Sequence, residues 1–135
     1  MSYAGDVTPE QAYDALRDDP DAVLIDVRTR AEWTYVGVPD LTALNKQVVC
    51  IEWLDFPDGQ VNPDFVDQVR SMCPGSGAAY LLCRSGVRSV AAAEALTAAG
   101  VPAVYNVLEG FEGGLDEHGH RAVSGWKVAG LPWRQ

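Results

Sequence analysis

Short apolar runs alternate along the chain with segments whose apolar residues recur at helical spacing. Val23-Leu24-Ile25-Asp26-Val27 is an apolar run of strand length after a turn, which predicts a strand buried on both faces. Gln47 to Trp53, with Val48, Val49, Cys50 and Ile51, predicts a second buried strand, and Ala78-Ala79-Tyr80-Leu81-Leu82 a third. Val104 to Leu108 is the last strand candidate. Between these runs stand helix signals. Thr8-Pro9-Glu10-Gln11 offers an N-cap, a proline at the first helical position and a capping box, ahead of apolar Ala12, Tyr13, Ala15 and Leu16. Asp18-Asp19-Pro20 ends that pattern. Thr29-Arg30-Ala31-Glu32 is a second capping box, predicting a short helix that carries Trp33 and Tyr35. After a turn at Asp58-Gly59, Asn62-Pro63-Asp64 opens a helix with Phe65, Val66 and Val69 as its stripe, ended by Pro74-Gly75-Ser76-Gly77. Ser89 to Ala99 is rich in alanine, a strong helix former, and stops at Gly100.

Strands alternating with helices imply a parallel sheet covered on both faces, an α/β layer sandwich. At 135 residues the chain fits one domain spanning 1–135, since a domain takes about 100–200 residues. The glycine-richer tail from Gly110 is expected to dock Trp126, Val128, Leu131 and Trp133 back onto the body.

Charge narrows the partners. Ten basic against nineteen acidic residues leave a net charge of −9, which disfavours nucleic acid and anionic membranes over the general surface. A small anion remains an acceptable ligand wherever positive charge is concentrated locally. No apolar run approaches the roughly 18 residues of a membrane span, and Met1 to Asp6 lacks the basic-then-apolar order of a secretory signal. Three cysteines, Cys50, Cys73 and Cys83, make an odd number without framework spacing. Free thiols in a cytoplasmic, reducing setting are the expectation.

The candidate chemistry lies in Leu82-Cys83-Arg84-Ser85-Gly86-Val87-Arg88-Ser89. A buried strand ends at the cysteine, a short loop follows and a helix begins. Ligands of parallel sheets bind at the carboxyl ends of strands, and a helix start presents unpaired N–H groups with the positive end of its dipole. A loop curled around the sulfur forms an anion nest, for which Gly86 supplies backbone freedom. Arg84 and Arg88 add positive charge. The sum is expected to lower the thiol pKa and leave a nucleophilic thiolate in a partly open cationic bowl; free cysteine titrates near ~8.5, and such sites fall to roughly 3.5–7.5. Most buried cysteines are inert packing. Here two arginines and a glycine within five residues, at a helix entrance, argue against that role, because burying such charge idly is costly.

These residues resemble the rhodanese family. The likeness runs through Asp26-Val27-Arg28, Glu32-Trp33 with Gly37, Cys83 to Ser89, Val107-Leu108-Glu109-Gly110 with Gly113-Gly114, and Gly125-Trp126, covering nearly the whole chain. It implies an α/β rhodanese-like fold with a central five-stranded parallel sheet and helices on both faces. It also implies a catalytic persulfide on Cys83, and thiosulfate or a protein persulfide as a small anionic or protein-borne sulfur donor. A thiol, cyanide or a sulfur-acceptor protein would take the sulfur. Arg84, Ser85, Gly86, Val87, Arg88 and Ser89 would bind the substrate, and no metal or organic cofactor is required. Where relatives often carry Gly-His-Ile, this chain has Gly37-Val38-Pro39, a changed loop expected near the site rim.

Two rival readings use the same loop. Cysteine phosphatases and arsenate reductases also place cysteine and arginine at a helix start. In the phosphatases the resemblance brings closest, five residues separate the pair and a histidine commonly precedes the cysteine, against four residues and Leu82 here. A non-catalytic binding or sensing module is the other rival, although inactive relatives usually lack the cysteine. Asp26 and Arg28 are expected to support the mouth of the site, or to form a structural ion pair orienting the next loop; Glu109 is equally open. His118-Gly119-His120 reads as a surface loop rather than a metal site, and Cys50 and Cys73 as packing thiols.

Overall fold

The computed structural model describes residues 3–54, 59–73, 77–84, 86–113 and 125–134. Its elements run β1 (Gly5–Val7), α1 (Pro9–Asp18), β2 (Val23–Asp26), α2 (Arg30–Tyr35), β3 (Val38–Pro39), a 3-10 turn (Thr42–Leu44), β4 (Val49–Cys50), α3 (Phe65–Met72), β5 (Ala79–Leu82), α4 (Val87–Ala98), β6 (Val104–Val107) and β7 (Trp133–Arg134). Five strands form a parallel sheet in the order β1-β6-β5-β2-β4. β3 and β7 make a separate antiparallel pair.

Alternation along each strand sorts the core into two layers. Ile25, Val27, Ala79 and Leu81 pack with Phe65 and Val69 of α3 and Ala92, Ala93 and Leu96 of α4. Leu24, Tyr80, Leu82 and Val107 face the other way, against Ala12 and Leu16 of α1 and Phe111 and Trp126 of the tail. The sheet therefore has helices on both faces. Both capping boxes form: the Thr8 side chain accepts from Gln11 N, and that of Thr29 from Glu32 N, each with the reciprocal bond.

Several expectations shift. β4 is two half-buried residues rather than a strand from Gln47 to Trp53 buried on both faces, because it lies at the edge of the sheet with a neighbour on one side only. β1, with a single large apolar residue, carries no hydrophobic signal, yet it pairs with β6. Val104 to Leu108 is not the last strand, since β7 follows it. α4 begins at Val87, two residues before Ser89. In the tail, Trp126 is fully buried and its indole N–H donates to the Pro132 carbonyl, whereas Val128 and Trp133 stay substantially exposed. Val128 instead lines a surface cleft with Pro9 and Leu108. Asp58 and Pro74-Gly75-Ser76 lie outside the described residues, as do His118 and His120. No helix among the described residues is long and apolar enough to cross a membrane.

Candidate active site

Cys83 stands one residue beyond β5, and its strand sits between β6 and β2. The chain then turns sharply so that α4 can return along the sheet. Gly86 makes that turn at φ +100. A Cβ there would lie 3.1 Å from the backbone nitrogen of Glu109, so both the angle and the space require glycine. Gly86 N–H donates to Cys83 Sγ at 3.1 Å. Ser89 Oγ also lies 3.3 Å from the sulfur.

A second segment props the loop from outside. Phe111 N donates to the Cys83 carbonyl at 2.8 Å, and Glu112 N to that of Arg84 at 2.9 Å. Gly110, at φ +59, passes so close that a Cβ would meet the Cys83 carbonyl oxygen at 2.3 Å. Trp126 N in turn holds the Gly110 carbonyl at 2.9 Å. The turn after β6 and the tail are thus part of the loop's support.

The two arginines do not stand free around the sulfur. Arg88 makes a two-pronged ion pair with Glu32, at 2.7 and 2.8 Å. Burial alone would push the Glu32 carboxyl up, but the hydrogen bonds and charge of Arg88, with the Thr29 bonds, outweigh it and hold the carboxyl below the usual range. Arg88 is raised in turn, chiefly by its hydrogen bond to Glu32. Arg84 is 47% exposed and meets Glu112 at 3.2 Å. Both cations the loop contributes are answered by carboxylates, and Cys83 itself is 1% exposed. In place of the expected partly open cationic bowl, the sulfur is buried and the two arginines are paired with carboxylates. Val87, 75% exposed, turns away to solvent, and Ser85 lies outside the described residues.

Asp26 and Arg28 are both fully buried and do not line a mouth. Arg28 grips Asp26 at 2.6 and 2.9 Å, donates to the Gly37 carbonyl at 2.7 Å, and stacks 4.3 Å over the Phe111 ring. One ion pair thereby joins the end of β2, the corner before β3 and the turn beneath the loop. The Gly37-Val38-Pro39 segment serves this purpose: Gly37 takes φ +117, and Val38 and Pro39 pair with β7. Glu109 is exposed at φ +66 beside Gly86.

Cys50 and Cys73 are partly buried. Burial, with a smaller contribution from the Asp26 charge, pushes the Cys50 thiol up to about 12. Burial raises Cys73 as well. Neither environment favours a thiolate. Three residues at the site carry no local sequence signal for their place there, Glu112, Asn106 and Asp6, and Glu32 is legible as a helix cap and in the family likeness but not as the partner of Arg88. Their partners are supplied by the fold. Asp6 and Asn106, for instance, are opposed by the register of β1 on β6.

A model of the family described as the STR4 middle domain matches residues 4–135. The crystal structure of Rv0390 from M. tuberculosis superposes with a TM-score of 0.92 at 53% identity, covering 98% of each chain. The uncharacterized protein RC0915 of Rickettsia conorii is 40% identical over 126 residues, 92% of this chain and 92% of its own. Rhodanese-like domain-containing protein 17 of Arabidopsis thaliana is 34% identical over 94 residues, 69% of this chain and 58% of its own.

Proposed function

Because the chain belongs to the rhodanese-like family, we propose that it is a sulfurtransferase that carries a sulfane sulfur as a persulfide on Cys83. The observation that carries this reading is a single sulfur at the end of a central strand, with the Gly86 N–H aimed at it and the start of α4 directly behind. Such a site suits a nucleophile that must hold one extra anionic atom.

Two displacements make the cycle. The Cys83 sulfur attacks the outer sulfur of the donor, the donor's S–S bond breaks, and the remainder leaves with the electron pair: sulfite from thiosulfate, a thiolate from a persulfide. An acceptor thiolate or cyanide then attacks the outer sulfur on Cys83, and the cysteine leaves as its thiolate. Sulfur moves at constant total oxidation level, so the balance asks for no oxidant or metal. In this reading Arg84, with about half of its side chain in solvent beside Glu112, meets the charged end of a small donor. Arg88 shapes the loop from the first turn of α4.

The raised Cys50 and Cys73 thiols support transfer through one cysteine. Thiosulfate-dependent thiocyanate formation tests the reading. Cys83→Ser is expected to abolish it with the fold intact, while Cys50→Ser and Cys73→Ser keep most of it. Turnover in the Cys83→Ser protein would reject the assignment. Hydrolysis of a phosphomonoester by the wild type would instead favour the phosphatase reading.

A further inference from the structure

Each arginine of the loop faces a carboxylate, and the two pairs differ in what holds them. Glu32 meets Arg88 with both oxygens and is fixed by the cap of α2. Glu112 belongs instead to the turn that props the loop. Its backbone N–H donates to the Arg84 carbonyl at 2.9 Å, and its carboxylate meets Arg84 Nε at 3.2 Å. One residue therefore grips Arg84 at both its peptide and its guanidinium. The Glu112 side chain is 17% exposed against 47% for Arg84, so the acid is the more firmly seated partner. Asp26 cancels Arg28 beneath the loop in the same way. Glu109, whose backbone packs against Gly86, adds a further exposed acid. Among the described residues, no arginine of the loop is left to a doubly charged ligand alone.

We propose that Glu112 is a specificity-determining residue that selects against doubly charged sulfur donors at Cys83. This rests on the sulfurtransferase reading. The charged end of a donor that approaches Arg84 meets the Glu112 carboxylate beside it, and the repulsion scales with the product of the charges. A dianion such as thiosulfate therefore bears twice the free-energy penalty of a monoanion of the same shape. Methanethiosulfonate is such a monoanion: a methyl group replaces one oxygen of thiosulfate, and the outer sulfur is unchanged. With either donor Sγ bonds that outer sulfur, the S–S bond breaks, and sulfite or methanesulfinate leaves with the electron pair. A thiol persulfide carries at most one charge on the sulfur to be transferred. That donor class is the one Glu112 leaves favoured.

Glu112→Gln keeps the shape of the side chain and removes its charge. The expected gain in kcat/KM for thiosulfate is about the square of that for methanethiosulfonate, on the order of tenfold against threefold. A merely structural effect would move both donors by one factor. NMR titration of the Cys83→Ser protein with each anion makes the same comparison without sulfur transfer. There too Glu112→Gln should tighten thiosulfate by the larger factor. Equal factors for the two anions, or unchanged or weaker thiosulfate binding, would overturn the assignment. The wild-type protein decides even if the variant fails to fold. Its thiosulfate affinity should hold as salt is raised to about 0.15 M, because no unpaired cation is there to be screened. A steep loss of affinity with salt would overturn the proposal. Failure of Cys83 to gain sulfur from either donor would reject the sulfurtransferase reading, while the titrations still report on Glu112.

Discussion

At Gly86 the left-handed backbone angle strains any side chain, and a Cβ would press on the Glu109 backbone nitrogen at 3.1 Å. Gly86→Ala is expected to cost about 1–2 kcal/mol for the left-handed conformation, read as a lowered urea midpoint. It should also slow sulfur loading, because the N–H that meets Sγ moves with that residue. Asp26 and Arg28 predict a larger loss with a different signature. Asp26→Ala leaves a guanidinium buried without its partner, a situation worth roughly 3–5 kcal/mol. Urea unfolding should show that loss, and a change below about 1 kcal/mol would mean that the pair is not the brace its burial implies. The residues of the loop are legible in the sequence because they are contiguous. The residues they bind are not: Glu32 lies 56 positions from Arg88, and Asn106 lies 17 from Ser89. Periodicity and local motifs carry no information across such gaps.

Elements with a local cause are readable from the chain itself. The Thr8 and Thr29 capping boxes place the starts of α1 and α2, since cap and partner lie three residues apart. Runs flanked by turns mark β2, β5 and β6. The pattern misses β1 and overdraws β4 because their pairing, at opposite edges of the sheet, is decided by neighbours rather than by their own residues. α2 bears a further consequence, since Glu32 both caps it and holds Arg88. Its carboxyl is held below the ordinary value, so the folded state binds that proton less readily than the unfolded chain does. The stabilisation is complete above the unfolded value, near 4.5, and is lost as pH falls through the lower folded one. Glu32→Gln should therefore lower stability at neutral pH and flatten its acid limb. Urea titrations from pH 7 to about pH 3 compare the two proteins directly, and parallel limbs would contradict the assignment.

Across the whole molecule, the tail closes the structure around the site. Trp126 fills the layer beside α1, packs edge-on to Tyr13 at 5.9 Å, and fixes the turn whose amides hold the Cys83 and Arg84 carbonyls. Trp126→Ala is expected to cost about 3–5 kcal/mol and to reduce turnover more than other core losses of the same size, because the loop loses its prop. Equal activity loss in Trp126→Ala and in Leu16→Ala, at matched stability, would show the tail to be packing alone. Loop, brace and tail converge on one sulfur atom. The most direct test of Cys83 as the sulfur carrier is the intact mass of the protein before and after thiosulfate, with peptide mapping. The expected result is the gain of a single cyanide-labile sulfur on Cys83. An unchanged mass, or a sulfur mapped to Cys50 or Cys73, would contradict it.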